Sequence, residues 1–236
     1  MQRSPANQYL PFIFDSELLR HVKKVIDTAE HAEEENNIYS NAIDPFSAVF
    51  DIVRKKITTK LWLELEKTRQ VQKTNQNAIG VMHQEILGSI PGWENMGTGQ
   101  VFDLKNDSLQ IIAEVKNKWN TVKGSNKNSN YDDLKSKLKG ELKGYTGYLV
   151  EIIPHNKARY NKPFQPSDNR IHQKRQKNER IRTIDGYSFY ELASGQKNAL
   201  EALFLALPRV IADILDQEIA ITKLQKELLG IFKKTY

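Results

Sequence analysis

Between Val101 and Trp119 the chain reads VFDLKNDSLQIIAEVKNKW. Its second half alternates: Leu109, Ile111, Ala113 and Val115 fall on one side, and Gln110, Ile112, Glu114 and Lys116 on the other. A period of two is that of a β-strand, and residues two apart stand on one face about 6.6 Å from each other. Glu114 and Lys116 therefore share the less apolar face of a strand that otherwise reads as buried. Charges placed there need partners, a metal ion or access to water. Val101 to Leu104 predicts a shorter strand before it. For Asp103 to lie across a hairpin from Glu114, the turn must centre near Ser108 and Leu109. The strongest turn residues, Asn106, Asp107 and Ser108, come slightly early, so a four-residue loop or a bulge is required.

Two carboxylates beside a lysine form a set suited to metal-assisted phosphodiester cleavage. Carboxylate oxygens match the hard preference of Mg²⁺, the ion polarises phosphate and acidifies bound water, and a lysine orients or deprotonates that water or offsets charge on phosphate. The tripeptide is not specific by itself, since Glu141-Leu142-Lys143 repeats it. That copy follows Asp132 and Asp133 in a stretch with helical spacing, where residues two apart point in different directions. It reads as solvated surface.

Outward from this stretch, helices are predicted over 15–35 and 45–70. Leu18, Leu19, Val22, Val25 and Ile26 recur at helical spacing in the first, and Phe46, Val49, Phe50, Val53, Ile57, Leu61 and Leu65 in the second. Both stripes read as helix faces packed into a core. A third helix over 75–88 ends at Gly88-Ser89-Ile90-Pro91-Gly92. Beyond the strands, Lys123 to Asn130 reads as a polar loop, 131–143 as a lysine-rich helix, 145–153 as a strand of almost continuous apolar character and 181–184 as a short strand. The C-terminus reads as helices over 188–206 and 208–234, divided at Pro208. Helices, a cluster of strands and helices again predict an α/β protein with a small mixed sheet. Gly97-Thr98-Gly99 lacks the residues of a phosphate-binding glycine loop.

Among 236 residues, 39% are apolar and 27% charged, a globular composition. There is no cysteine, which excludes disulfides, thiolate metal sites and thiol nucleophiles. No apolar run approaches the roughly 20 residues that span a bilayer, and the N-terminus lacks the pattern of a secretory signal, so a bacterial-type cytoplasmic location is expected. The formal charge of +6 is uneven. Residues 101–182 hold 18 basic and 9 acidic side chains, more than the whole excess. From Pro154 to Arg182 nine basic residues face only Asp168 and Glu179, interspersed with prolines, which favours extended or looped backbone. Lys and Arg attract phosphate, and Arg, Asn and His also read base edges. Arg159, Asn161, Arg170, His172, Arg175, Arg180 and Arg182 are the candidate DNA contacts here. Asn117, Lys118, Asn120, Lys123 and Lys127, close behind Lys116, are candidates for the backbone. Trp119, Tyr187, Phe189 and Tyr190 read as packing residues, and His83 as structural.

Asp103 with Glu114-Val115-Lys116 resembles the PD-(D/E)XK nuclease motif, with Phe102 in place of its proline. EVKNKWNTVKGSNK (114–127) and RTIDGYSFYELASG (182–195) resemble type II restriction endonucleases that cut GGNCC sites, over about residues 20–210. The resemblance implies a PD-(D/E)XK nuclease-like core and one endonuclease domain over 1–236: a helical part (1–90), the catalytic sheet core (91–153), a DNA-recognition stretch (154–186) and C-terminal helices (187–236). It implies Mg²⁺-dependent double-strand cleavage leaving 5′-phosphates by a homodimer on near-palindromic DNA, with a companion DNA methyltransferase protecting the host. Asp103 and Glu114 would then hold the metal, Lys116 would serve the attacking water, and Glu85 is a further candidate ligand. A structure-directed repair or recombination nuclease, and a nucleic-acid-binding protein without catalysis in which Glu114 and Lys116 simply pair, remain alternatives.

Overall fold

The computed structural model describes residues 7–35, 37–97, 99–121, 124–168 and 173–236. The chain forms two compact units, one of residues 1–22 and 82–236 and one of residues 23–81. The larger is built on a six-stranded mixed sheet in the order β1 (Glu94–Asn95), β2 (Leu104–Asn106), β3 (Ile111–Lys118), β4 (Thr146–Ile153), β8 (Ile181–Asp185), β5 (Asn161–Pro163). β3, β4 and β8 are parallel, and the outer pairs are antiparallel. β6 (Ser167–Asp168) and β7 (Gln173–Lys174) form a separate ribbon within the basic stretch.

The α/β class and the mixed sheet agree with the sequence reading. β4 is buried along nearly its whole length, as a parallel strand covered on both faces must be. One face carries Ile112, Leu149 and Ile181, packed against Tyr131, Leu134 and Leu138 of helix α4 (Gly124–Lys139). Gly147 lets α4 approach, since a methyl group there would meet Leu134 Cδ2 at 3.1 Å. On the other face, Tyr148 and Trp93 pack against Phe189 of helix α5 (Gly186–Ser194).

The hairpin predicted for residues 103–114 is present. Leu104 pairs with Ala113 and Asn106 with Ile111, leaving a four-residue loop, Asp107 to Gln110. Asn106 Oδ1 accepts the Leu109 N–H at 2.8 Å, and Gln110 closes the loop in the left-handed region at φ 52°.

Helix boundaries differ in several places, and the lysine-rich helix expected over 131–143 ends at Lys139. The segment predicted as one helix over 45–70 is two. Helix α2 (Pro45–Lys55) stops at left-handed Lys56, and helix α3 (Thr59–Gly88) starts where Thr58 Oγ1 accepts the Leu61 N–H. α3 then continues through the helix expected at 75–88. The stripe of α2 is not packed into a core: none of its residues is buried, and Phe46, Val49, Phe50 and Val53 are exposed, as are Leu61 and Leu65. Helix α1 (Asp15–Glu34), by contrast, buries Leu18 and Val22. The polar stretch expected as a loop to Asn130 is helical from Gly124, because Lys127 and Asn128 anchor the first turns to Glu151 and the Ser167 carbonyl. This is tertiary contact overriding propensity. Finally, Pro208 does not divide the tail. It lies buried inside helix α6 (Ala199–Leu215), beside the buried Leu203, Val210 and Ala212. The breaks fall at left-handed Gly195 and Asp216, before helix α7 (Ile221–Phe232).

Candidate active site

The antiparallel register that pairs Leu104 with Ala113 brings Asp103 level with Glu114. The ladder departs from regularity there. The Asp103 N–H bonds to the Ala113 carbonyl at 2.9 Å, and the Asp103 carboxylate itself accepts the Val115 N–H at 2.7 Å. The side chain thus replaces a backbone acceptor, which fixes its position. Glu114 and Lys116 project from one side of β3, as the alternation requires, and Lys116 Nζ donates to Glu114 Oε1 at 2.5 Å. Asp103, Glu114 and Lys116 converge at one place.

Its electrostatics are those of a pair of acids held too close and too dry. Burial pushes the Asp103 carboxyl above its ordinary value, against the pull of the Val115 N–H and Lys116. Burial raises Glu114 as well, reinforced by the charge of Asp103 and opposed by Lys116. Two such carboxylates in a half-buried site share a proton or hold a cation. Among the described residues no third carboxylate or imidazole joins them in a metal-binding group. An all-oxygen set of two carboxylates suits Mg²⁺, which keeps most of its waters and takes only one or two carboxylates from a protein.

The same face continues into β4 and β8. Lys116 pairs in register with Glu151, and Glu151 with Asp185. Glu151 is 7% exposed and accepts hydrogen bonds from the Tyr160 hydroxyl and, at 3.5 Å, from Lys127 Nζ. Burial and the adjoining Glu151 drive the Tyr160 phenol far upward, so it stays a donor. Lys127 also stands 6.0 Å over the ring of Trp119, which packs edge-on against His155. Neither Glu151 nor Tyr160 is among the site residues expected from the sequence. The signal was available, since Glu151 is the lone charge in the apolar run Tyr148 to Ile153.

Asp185 is fully buried and structural. Its carboxylate caps α5 through the Ser188 N–H and accepts the Tyr160 N–H at 2.7 Å. Gly186 lies against β4 so tightly that a methyl group would fall 2.5 Å from the Ile152 carbonyl oxygen. Within the Arg182–Gly195 block, Asp185-Gly186 thus docks α5 on the sheet, and Gly195 closes it with a left-handed cap.

The other candidates divide. Glu85 is engaged by His21 Nδ1 at 3.1 Å and does not join Asp103 and Glu114 in a ligand group. His83 bonds the Tyr190 hydroxyl, and burial pushes its imidazole down to about 4. Arg159 pairs with Glu191 and stacks over Tyr187, Arg175 pairs with Asp132 and Asp168, and Arg182 binds Asn161 and Glu179. Arg180 is exposed, with its backbone carbonyl on the Gly147 N–H. Asn117 and Lys118 are half-buried at the end of β3, and Asn120 is exposed just after it. Lys123, Arg170 and His172 lie outside the described residues.

The profile of the Eco47II restriction endonuclease family matches residues 10–216. The chain belongs to that family. It is 41% identical to the type II restriction enzyme Eco47II of Escherichia coli over 215 residues, covering 89% of this chain and 90% of the relative. It is 30% identical to the type II restriction enzyme Sau96I of Staphylococcus aureus over 241 aligned positions, covering 98% and 89%. Membership in a restriction endonuclease family agrees with the resemblance read from residues 114–127 and 182–195. No helix among the described residues is long and apolar enough to cross a membrane.

Proposed function

We propose that the chain cuts both strands of DNA at a GGNCC-like site, hydrolysing phosphodiester bonds with Mg²⁺ and leaving 5′-phosphates, with Asp103, Glu114 and Lys116 as its catalytic set. The observation that carries this reading is the convergence of two carboxylates with raised proton affinity and one lysine at the edge of β3.

Asp103 and Glu114 would hold the ion, Asp103 oriented by the Val115 N–H and Glu114 by Lys116. When bound, Mg²⁺ supplies a Lewis acid at the scissile phosphate and lowers the pKa of its water. The Lys116 amine, a donor fixed next to Glu114, hydrogen-bonds the attacking water and offsets charge developing on phosphate oxygens. Lys127 adds positive charge on the same face. In the basic stretch, Arg180 and the exposed lysines are the first candidates for phosphate. Arg159, Arg175 and Arg182 must exchange internal partners before reaching guanine, the bidentate contact that a GG-containing site demands. One catalytic set per chain and two strands to cut call for two copies acting together. A companion methyltransferase would protect the host's own sites.

The test is incubation of the purified protein with plasmid and Mg²⁺, followed by mapping of the ends. Discrete fragments sharing one end sequence are expected. Asp103→Ala should abolish cutting while a gel shift in Ca²⁺ still shows specific binding. Cutting by this variant, or cleavage without fixed ends, would refute the reading.

A further inference from the structure

Glu151 puts a buried carboxylate into an otherwise apolar strand, and each of its oxygens has its own partner. Oε2 accepts the Tyr160 hydroxyl, and Oε1 faces Lys127 Nζ at 3.5 Å. Tyr160 is set in place through its backbone: its N–H donates to the Asp185 carboxylate at 2.7 Å, and its carbonyl accepts the Asp185 N–H at 3.1 Å. Asp185 is itself fixed as the cap of α5, so the hydroxyl that reaches across β8 to Glu151 comes from a rigid frame. Lys127 comes from α4, which is docked on the sheet by Tyr131, Leu134 and Leu138 and by Asn128 Nδ2 on the Ser167 carbonyl at 3.2 Å. Buried ion pairs stabilise a fold little more than packed apolar residues would. What this one fixes is the place of an ammonium group.

We infer, resting on the nuclease reading, that Lys127 grips a phosphate of the strand being cut and that Glu151, clamped by Tyr160, is the positioning residue that aims it. β3, β4 and β8 run parallel, so Lys116, Glu151 and Asp185, in register with one another, lie along one edge of the sheet at its carboxyl ends. Open α/β sheets take their ligands at that edge. Neighbouring strands are about 4.8 Å apart, so Glu151 stands one strand from Lys116 and holds a second lysine near it. An ammonium has three donors. Glu151 takes one, and the Lys127 side chain stays 28% exposed over the ring of Trp119, where a phosphate oxygen replaces water on the others. Lys127 does not leave Glu151 when DNA binds, because a buried carboxylate without its cation is costly. It bridges carboxylate and phosphate.

The experiment makes two measurements on a GGNCC duplex: affinity in Ca²⁺ over a range of salt, and the single-turnover rate of cutting in Mg²⁺. The proteins are wild type, Lys127→Met, Lys127→Arg, Glu151→Gln and the double variant of Lys127→Met with Glu151→Gln. Each phosphate neutralised contributes about 0.9 to the slope of log affinity against log salt. Lys127→Met should lose one such contribution, as should the double variant, which leaves no carboxylate unpaired; Lys127→Arg should keep it. Glu151→Gln still accepts the Tyr160 hydroxyl and leaves the lysine charged. Its affinity and thermal midpoint should hold while cutting slows by roughly 10–10²-fold, the effect of a misplaced group. The double variant should cut no slower than the slower single variant, because the two residues act as a unit. A full salt slope in both Lys127→Met proteins overturns the phosphate contact. Wild-type cutting by Glu151→Gln, a midpoint that falls together with its rate, or losses that multiply in the double variant overturn the positioning role. If wild type binds the duplex but cuts nothing, the nuclease reading fails by itself, while the slopes still decide whether Lys127 meets phosphate.

Discussion

Glu114-Val115-Lys116 and Glu141-Leu142-Lys143 share a pattern and nothing else. The first lies on a strand, where both charged side chains project from one face and touch at 2.5 Å. The second lies in the turns after α4, where Glu141 and Lys143 are exposed and only Leu142 packs against the core. Backbone conformation, rather than composition, decides whether an acid and an amine converge. Asp103 then supplies what no tripeptide holds, a second acid arriving from the neighbouring strand.

The sharpest way to break this comparison is to neutralise one acid in each copy. Glu114→Gln should slow plasmid linearisation in Mg²⁺ by roughly 10²–10³-fold, the scale of losing one pre-positioned charge in a shielded site. Glu141→Gln should leave the rate within about twofold, the expectation for an exposed side chain away from the reacting atoms. Equal losses in both would mean that strand context is not what matters. The amines make the same contrast at lower amplitude. Lys116→Met should lose roughly 10²-fold in rate with gel-shift affinity in Ca²⁺ retained, while Lys143→Met should lose neither.

The alternation over residues 109–116, and the loop length that seats Asp103 across from Glu114, could be read from residue order because both are local constraints. The tethering of Arg159, Arg175 and Arg182 could not. Glu191, Asp132, Asp168 and Asn161 lie up to 43 residues from the arginines they hold, and only the fold brings them together. Nor does periodicity tell what covers a stripe. Leu18 and Val22 of α1 are buried while Phe46 and Phe50 of α2 are exposed, although both sets recur at helical spacing. The Asp185-Gly186 junction was visible as a family likeness, but its cause is a close approach between backbone segments that a string of letters does not display.

That junction extends the comparison from side chains to glycines. Gly186→Ala forces a methyl group to within 2.5 Å of the Ile152 carbonyl oxygen, on the strand that carries Glu151. A forced backbone shift of this kind costs about 1–3 kcal/mol, so the thermal midpoint should drop by several degrees. Gly140, next to the second copy, would place its methyl group 3.8 Å from the Ser136 carbonyl, an ordinary contact. Gly140→Ala should melt at or slightly above the wild-type temperature, and matching losses in the two variants would show that α5 docks more loosely than described.

The smallest effect concerns the charge pair itself. Burial raises Asp103, and burial with the Asp103 charge raises Glu114, so ionising both opposes folding in metal-free protein. The sign follows from linkage. Below the unfolded carboxyl values both acids are protonated in either state and no penalty exists. The penalty appears as pH rises through the elevated folded values, and it is complete once both acids are ionised in the folded protein. Asp103→Asn removes one of the two charges, and its carbonyl oxygen still accepts the Val115 N–H. In chelator at pH 8 it should therefore melt roughly 2–4 °C above wild type, the shift that about 1 kcal/mol produces in a chain of this size. The difference should close as pH falls towards 4. Saturating Mg²⁺ should reverse the order, because only the wild-type pair gains from the cation. Wild type and Asp103→Asn melting together at every pH, with and without Mg²⁺, would mean that the two acids never confront each other in the folded protein.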